Sequence, residues 1–502
     1  MLSAFKRFLG FEEDSPKEID VKTIYRGDTS TAERMLDPTQ EDIDVAAKTL
    51  EHSDDVYVDN DLKKSSEEYN KIFEKHGKER AFWFYDRIQP EDKVFGTTVH
   101  RVKKMLQHPA DQNVYEEEVR GVGYPLITDT PVGYVEYDKT DKGYQVFFAF
   151  RGTANEWGTD FDAAAVEKGP EDLSITRREY NYIYNNRIKP LIDKYSRERS
   201  LSSMNRSKLL KEMFQKRLPK LLFTDEDWHE TSIFYFFTSL PVKKAFVHTG
   251  FWRRFSSICP QIFIGYCLML CYIYADELTA EDKHVPKDVS YTSALNVPII
   301  CTGHSLGGAI AQLCAVFLIW FFERPSVKLV TWESPRVFKR VSHEALCRAS
   351  QAFRTLDDTG VRYVNANDAV TGVPLYPTWY HWGKNVFHLG TKDSLISSVA
   401  NWFNPWSRFV SSHFRDNLKS ELDRYFPKGE SGKRQLDPSA PVRVTIGHGR
   451  IAGKRRRSKT RSRPSLPYLS SQIKGSREAK LYMAWVRSHK RVKHPFHMKN
   501  HP

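Results

Sequence analysis

Two long apolar runs lie close together in the chain, between residues 256 and 322. The second run begins with Val297 to Ile300, whose β-branched residues favour a strand. It passes through Gly303 to Gly307, the pentapeptide GHSLG, and then continues without proline until Pro325. This order predicts a buried strand, a sharp turn with Ser305 at its apex, and a buried helix.

The first run, Ser256 to Ala275, has twenty residues and no charge, which is long enough to cross a membrane. Pro260 and Gly265 interrupt it, and it stands between two segments that must share one fold. We therefore interpret it as a buried helix, with insertion into a membrane as the alternative.

Shorter segments alternate between strand and helix patterns. Gly133 to Tyr137 and Tyr144 to Phe150, on either side of a polar turn, predict a β-hairpin. Val327 to Trp332 and Val361 to Ala366 predict further buried strands. Strands that alternate with helices indicate the α/β class, with a mostly parallel sheet flanked by helices.

Composition divides the chain into three predicted parts. Residues 1–95 are polar and acidic, and Asp37-Pro38-Thr39-Gln40 carries helix-start signals, so we predict an N-terminal helical extension. Residues 96–427 form the main domain, with a long, charged and helical insertion at 167–244. The aromatic cluster at 233–237 predicts core, with a lid or an acyl-chain wall as the functional alternative. Residues 428–502 predict a disordered basic tail.

The net charge of +13 is concentrated in this tail. Residues 450–499 contain 16 lysines and arginines and a single acid, Glu478. Such a run suits anionic lipid, nucleic acid or nuclear import, and a solubilising tail is the plainer alternative. No metal or other cofactor is predicted, because metal-site spacing and neighbouring cysteines are lacking around the tail's histidines, His489, His494, His497 and His501.

The six cysteines lie mostly in apolar runs without a C-x-x-C pair, which favours free thiols in a reducing compartment. The N-terminus lacks a sustained apolar core and a small-residue cleavage site, so no signal peptide is expected. We expect an intracellular protein, either cytoplasmic or at a lipid surface, with nuclear import through the tail as an alternative. Leu2, Phe5, Phe8 and Leu9 could make a peripheral membrane contact, although docking on the protein itself is favoured. No obligate protein partner is inferred.

A strand, a sharp turn and a helix with serine at the apex are typical of the nucleophile elbow of α/β-hydrolases. Gly303 and Gly307 would let the backbone pass closely enough to expose the Ser305 hydroxyl. Acyl transfer also needs a base, an orienting acid and oxyanion donors. Asp368 is the best-placed acid because it follows a predicted strand, where the loops of an open sheet carry sites. For the base, spacing leaves His381 and His388 equal, with His413 as a third candidate.

Several short motifs together resemble the class 3 lipases, the fungal triacylglycerol lipase type. In chain order they are FAFRGTANEWGTDF, VHTGF, CTGHSLGGAIAQL, VTWESPRVF, VRYVNANDAV and YHWG. The resemblance covers roughly residues 46–426 and implies an α/β-hydrolase fold. It implies Ser305 as nucleophile, Asp368 as acid and His381, in the form H-x-G, as base, with His388 as runner-up.

The resemblance also implies an oxyanion hole made by Thr153 and the Leu306 N–H. Asp160 would brace the oxyanion loop or serve as an ordinary helix cap. Two features depart from the family pattern. Glu333 stands where the family usually has glycine, and the insertion is much longer than the short lid of the fungal enzymes.

The function implied is a serine carboxylester hydrolase that cleaves acyl esters of lipids through an acyl-enzyme. Triacylglycerol lipase, phospholipase A1 and diacylglycerol lipase activities are not separated by these residues. The alternative of another class is a non-catalytic lipase-like scaffold whose basic tail binds nucleic acid or anionic membrane.

Overall fold

The computed structural model describes residues 40–56, 81–88, 126–152, 165–169, 172–175, 177–223, 231–232, 244–322, 326–365, 368, 370–372, 374, 378–389, 420, 423–424, 426–429, 434–435 and 443–446. The strands are β1 Ala81–Ile88, β2 Leu126–Thr140, β3 Gly143–Phe150, β4 Ala165–Lys168, β5 Ser174–Ile175, β6 Thr231–Ser232, β7 Ala245–His248, β8 Ile299–His304, β9 Val327–Trp332, β10 Phe338–Lys339, β11 Val361–Asn365, β12 Trp379–Tyr380, β13 Asn385–Leu389 and β14 Arg443–Ile446. The helices are α1 Gln40–Asp55, α2 Arg177–Ile183, α3 Lys189–Arg197, α4 Leu201–Lys211, α5 Leu218–Leu222, α6 Thr249–Ala280, α7 Thr292–Leu295, α8 Leu306–Phe322, α9 Arg340–Ala349 and α10 Gln351–Thr359. Two π-helical turns, Tyr184–Ile188 and Glu212–Arg217, and a 3-10 turn, Val370–Gly372, complete the described elements.

The central sheet has eight strands in the order β1-β2-β3-β8-β9-β11-β13-β14. The five strands from β3 to β13 run parallel, while β1, β2 and β14 are antiparallel additions at the two edges. The predicted hairpin is confirmed, since β2 pairs with β3 from Gly133↔Phe150 to Thr140↔Gly143. A parallel sheet is buried on both faces, which explains its apolar strands. The predicted α/β-hydrolase architecture is confirmed.

Helix α6 lies against β1, β2 and α8, and it contains the charge-free run 256–275. Among the described residues it is the one helix long and apolar enough to cross a membrane, and 94% of its most apolar window is buried inside the protein. Gly265 lets β1 approach, since a Cβ there would lie 2.7 Å from the Phe82 ring. Gln261 accepts a hydrogen bond from the Tyr85 N–H (3.0 Å) and donates one to the Tyr85 carbonyl (2.8 Å). The packing fits a core helix, as interpreted from the sequence.

The fold extends past both predicted domain boundaries. On the N-terminal side of residue 96, β1 pairs with β2, and α1 packs Ile43, Ala46 and Leu50 into a buried cluster with strands of the sheet. On the C-terminal side of residue 427, β14 pairs with β13. Strand β14 thus lies inside the predicted tail, whereas the basic run 450–499 lies outside the described part of the chain, so what was predicted for that run stays a prediction.

The described part of the 167–244 insertion is mostly helical and belongs to the main core. Leu209 and Met213 are fully buried in the cluster that also contains α6. Arg206 on α4 forms an ion pair with Asp276 on α6, with 2.8 Å between Nη2 and Oδ1. The aromatic cluster at 233–237 lies outside the described residues, so its role as core or lid wall stays a prediction. All six cysteines are free, and five of them are buried, as predicted.

Candidate active site

Ser305 stands alone between the end of β8 and the start of α8, with a left-handed backbone (φ +57°). Glycine is required on either side of it. A Cβ on Gly303 would lie 2.3 Å from the Gly307 carbonyl carbon, so a side chain there would block the turn. The Ser305 carbonyl accepts the Gly308 N–H (2.9 Å), which starts the helix directly after the serine. The predicted strand, sharp turn and helix are therefore present.

The end of β3 lies against this turn. A Cβ on Gly307 would come within 2.1 Å of the Phe150 carbonyl oxygen, so glycine is needed for this approach. Phe150 also pairs in register with Gly303. The chain leaves β3 through Arg151 and Gly152, the last two described residues before Thr153.

The two predicted oxyanion donors differ in what the structure describes. Leu306 is the first residue of α8, and the first N–H groups of a helix have no acceptor within the helix, which suits an oxyanion donor. Thr153 and Asp160 lie outside the described residues, so their roles stay predictions.

Asp368 follows β11 at the same edge of the sheet as Ser305. It is buried, with 7% of its surface exposed, and Oδ1 accepts the N–H of Val370 (2.8 Å) while its carbonyl accepts the Thr371 hydroxyl (3.0 Å). Since β8 and β11 are separated only by β9, the two strands lie roughly 10 Å apart.

His381 is buried and follows β12. Its Nε2 lies 3.0 Å from the Thr371 carbonyl oxygen, so the ring contacts the turn that Asp368 begins. The next residue, Trp382, donates its N–H to Gln312 Oε1 (2.9 Å), which lies seven residues beyond Ser305 and therefore roughly 10 Å along α8. His381 thus lies beside the acid loop, and its role as base stays a prediction.

The two other candidate bases differ in position. His388 is the next-to-last residue of β13 and pairs in register with Val364 and Arg443. Strand β13 is three places from β8, which corresponds to roughly 14 Å. His413 lies outside the described residues.

Two arginines that the sequence analysis did not single out hold backbone segments beside the sheet, and one of them holds the turn after Asp368. Arg336 Nη1 donates to the carbonyls of Gly372 and Pro374 (2.9 Å for the latter), which fixes the turn after the acid. Arg362 is buried and its Nε donates to the Gly383 carbonyl (2.8 Å). Burial, followed by the charge of Arg336, lowers the pKa of Arg362 to about 9. In the sequence, the segment Ser334-Pro335-Arg336, part of a motif shared with the class 3 lipases, was the signal that could have identified Arg336.

A further pair of side chains, Glu333 and His304, lies beside the nucleophile. Of the two, only Glu333 was noted from the sequence. Glu333, noted as a departure from the family pattern, is fully buried directly after β9 and has a left-handed backbone (φ +50°). Its Oε2 lies 3.2 Å from Nε2 of His304, the residue before Ser305. Glutamate is rare in left-handed backbone, so this conformation points to a constraint at the site.

Within the described part of the chain, one group of side chains has the separations of a metal site. It consists of His343, Cys347 and Asp357. However, Asp357 Oδ2 already pairs with Lys384 Nζ (3.2 Å), and Oδ1 accepts the Gly383 N–H (3.2 Å). The lysine supplies the positive charge that a cation would bring, so we interpret the group as a structural anchor.

The sequence profile of the family Lipase (class 3) matches residues 223–377. This span contains Ser305 and Asp368 and ends before His381. The resemblance found in the sequence is therefore confirmed over these residues. No curated protein matches the chain.

Among solved structures, the chain is similar to a triacylglycerol lipase whose catalytic centre is formed by a serine protease triad, at 16% identity and a TM-score of 0.26, over 52% of this chain and 62% of that one. It is also similar to the native Rhizomucor miehei lipase propeptide complex, at 16% identity and a TM-score of 0.26, over 51% of this chain and 52% of that one. A lipase from Rhizopus microsporus var. chinensis matches at 19% identity and a TM-score of 0.26, over 52% and 57%. Each alignment spans less than two thirds of the lipase that it matches.

Proposed function

Because residues 223–377 are a class 3 lipase segment, we propose that the protein is a serine carboxylester hydrolase that cleaves acyl esters of lipids. The observation that carries the proposal is the backbone of Ser305, held at φ +57° between β8 and α8. A left-handed backbone is costly for any residue with a side chain. In α/β-hydrolases this strained turn is what presents the nucleophile above the sheet.

In the proposed reaction the Ser305 oxygen attacks the ester carbonyl while a histidine takes its proton. The oxyanion is held by the Leu306 N–H and by Thr153, at about 3 kcal/mol for each donor. Collapse of the intermediate breaks the ester bond, and the histidine returns the proton to the leaving alcohol. Water then attacks the acyl-enzyme by the same route and releases the carboxylic acid.

We assign the base to His381 and its orientation to Asp368. The His381 ring has Nε2 on the Thr371 carbonyl oxygen, so Nε2 is the protonated nitrogen in this orientation. The neutral ring then carries its lone pair on Nδ1, which is the atom that would accept the serine proton. Asp368 supports this role through the turn that it shares with Thr371.

The nucleophile is tested by Ser305→Ala with short p-nitrophenyl esters and a fluorophosphonate probe. We expect loss of labelling and a fall in kcat of about a thousandfold or more, with the fold retained. Ser256→Ala is the matched control, because that hydroxyl donates within its own helix to the Arg253 carbonyl (3.0 Å). Hydrolysis that survives in Ser305→Ala would refute the assignment.

The base is tested by replacing His381, His388 and His413 one at a time with alanine. We expect Ala at 381 to lower kcat as severely as Ser305→Ala, and the double variant to be no slower, because residues of a triad act as a unit. A severe loss at 388 or 413 instead would move the base assignment and leave that of Ser305 intact.

The finer substrate class is part of the proposal. We propose triacylglycerol as the preferred lipid, with phospholipid cleavage of the A1 type and diacylglycerol hydrolysis as the alternatives. A panel of these three lipids, each assayed as monomer and as emulsion, ranks them by kcat/KM. A rate that does not rise when the substrate forms an interface would count against gating by a lid in the insertion.

We also propose that the basic tail binds an anionic surface. Its support is the density of positive charge between residues 450 and 499. The full chain should sediment with vesicles that contain phosphatidylserine and less with phosphatidylcholine alone, and deletion of residues 452–502 should abolish the difference. Salt-sensitive binding to DNA without binding to vesicles would favour a nucleic-acid partner instead.

A further inference from the structure

We propose that Glu333 and His304 are a positioning pair for Ser305. The hydrogen bond between their buried side chains would hold the nucleophile elbow to the end of the neighbouring strand. This inference rests on the proposed function, because it concerns the rate at which Ser305 reacts.

The pair joins the ends of two adjacent parallel strands. His304 is the last residue of β8 and pairs in register with Trp332, the last residue of β9. Glu333 follows directly, and Nε2 of His304 donates to Oε2 of Glu333 over 3.2 Å. The side chains are 7% and 0% exposed, so water does not compete strongly for this bond. The residue next to the nucleophile is therefore tied to β9 through its side chain.

The backbone of Glu333 extends the connection to the strand that precedes the acid. Ser305 N–H donates to the Trp332 carbonyl (2.9 Å), and Glu333 N–H donates to the Tyr363 carbonyl (2.8 Å). Tyr363 belongs to β11, after which Asp368 follows. Glu333 thus lies where the ends of β8 and β9 are hydrogen-bonded to each other and to β11. A shift there would change the distance between nucleophile and acid.

The strain at Glu333 argues that its side chain has a role. At φ +50° glycine would fit without strain, and the class 3 lipases that the chain resembles usually have glycine at this position. Keeping a strained residue is expected where the surrounding structure and the function demand it. Since the Glu333 side chain reaches the residue beside Ser305, positioning of the nucleophile is the role that its contacts indicate.

The experiment separates positioning from simple stabilisation. Glu333→Gly removes both the strain and the hydrogen bond, so a merely structural pair predicts no loss of rate in folded protein. Relief of the strain and loss of the His304 partner change stability in opposite directions, so the thermal midpoint serves to show that the variant is folded. We expect kcat on a soluble ester to fall about tenfold or more, and KM to change less than twofold. The rate of labelling by a fluorophosphonate should fall in parallel, because it reports on Ser305 alone.

Three further variants keep the test decisive. Glu333→Gln keeps an acceptor for His304 and should restore kcat to within about threefold. Glu333→Asn tolerates the left-handed backbone but is one methylene too short to reach His304, so it should be as slow as Glu333→Gly and covers the case in which the glycine variant fails to fold. Asp282→Gly is the matched control, since Asp282 has the same left-handed backbone (φ 51°) in an exposed turn, and its kcat should not change.

Wild-type kcat and labelling rate in folded Glu333→Gly or Glu333→Asn would overturn the inference. A slow Glu333→Gln would also overturn it, because the hydrogen bond would then not be what matters. A wild-type protein that neither hydrolyses esters nor labels at Ser305 would refute the proposed function itself, which is a different result.

Discussion

Two buried histidine–carboxylate pairs of nearly the same geometry lie at opposite ends of the parallel strands. His304 and Glu333 lie 3.2 Å apart at the carboxyl ends of β8 and β9, beside Ser305. His343 and Asp357 lie 3.1 Å apart near the start of β11, on helices α9 and α10. All four side chains are at most 7% exposed. Distance and burial alone therefore do not tell which pair serves a reaction.

The backbone and the further partners distinguish them. Asp357 sits in a regular helix, and its carboxylate also pairs with Lys384 and accepts the Gly383 N–H. Those contacts fasten α10 to the segment that enters β13, which is a structural task. Glu333 instead has a strained backbone at the edge where the nucleophile and the acid emerge. Strain concentrated at one end of the sheet indicates where structure is adapted to function.

The largest effect on stability should come from the pair at the amino end. Asp357→Ala leaves His343 and Lys384 facing a buried gap, so we expect the free energy of unfolding to fall by about 3 kcal/mol or more. The kcat of the folded protein should change less than twofold. Urea unfolding and ester hydrolysis measure the two quantities.

The neighbouring acid supplies the control for that variant. Asp358 contacts the same Lys384, but its side chain is 54% exposed, so Asp358→Ala should cost less than about 1 kcal/mol. A fall in kcat of about tenfold or more in folded Asp357→Ala would contradict our interpretation that this pair is structural and the other pair functional.

Another buried histidine, His248, shows what burial alone does to an imidazole. Burial lowers the pKa of His248 from 6.5 to about 4. Between these values the unfolded chain binds the proton and the folded chain does not, so the contribution to stability is complete above pH 6.5 and is lost as the pH falls to 4. The loss should approach about 3 kcal/mol.

The measurement is urea unfolding of the wild type and of His248→Phe from pH 7.5 to pH 4. Phenylalanine keeps the stacking of ring 248 on Phe251, whose centroid lies 4.0 Å away, and removes the titration. We expect the variant to lose less stability on acidification than the wild type. Replacing the exposed His284 by glutamine is the matched control for the loss of a histidine. Parallel profiles for wild type and His248→Phe would contradict the expected shift.

Substitution of Arg336 tests whether hydrogen bonds that hold a loop at the carboxyl ends of the parallel strands affect kcat. Lysine at this position cannot reproduce the hydrogen bonds to both Gly372 and Pro374, so Arg336→Lys should cost about 2 kcal/mol of stability. Because these bonds hold the turn after Asp368, we also expect kcat to fall about fivefold. Arg340→Lys is the control, since Arg340 is half exposed and its ion pair with Glu344 (2.6 Å) lies within one helix. A full kcat in Arg336→Lys would make this anchor structural, like the pair at the amino end.

The nucleophile turn could be predicted from the sequence because its strand, turn and helix are contiguous. Residues 297–322 carry all the signals, including the glycines that the tight approach of Gly303 to Gly307 requires. The fold class followed from the alternation of such segments. A site whose residues are contiguous in the chain can thus be predicted from the sequence alone.

Contacts between distant segments were not predictable in the same way. His304 and Glu333 are in contact because β8 and β9 are neighbours in the sheet. The sequence around neither residue predicts this contact. The edge strands β1 and β14 lie in polar or basic stretches, so composition assigned them to an extension and a tail. Their membership of the sheet depends on partners elsewhere in the chain.

The smallest predicted effect measures the strain on which the comparison depends. Asp282 has φ 51° just after α6, where its N–H donates to the Thr279 carbonyl (3.1 Å) and the Lys283 N–H donates to the Leu278 carbonyl (2.8 Å). This is the helix-ending motif in which glycine is preferred, so Asp282→Gly should stabilise the protein by about 0.5–1 kcal/mol. Asp282→Ala should destabilise it, because alanine tolerates left-handed backbone less well than aspartate does. If glycine gives no gain in urea unfolding at this exposed turn, then left-handed backbone costs this protein little. The strained Glu333 would in that case no longer be evidence that its side chain is kept for a purpose.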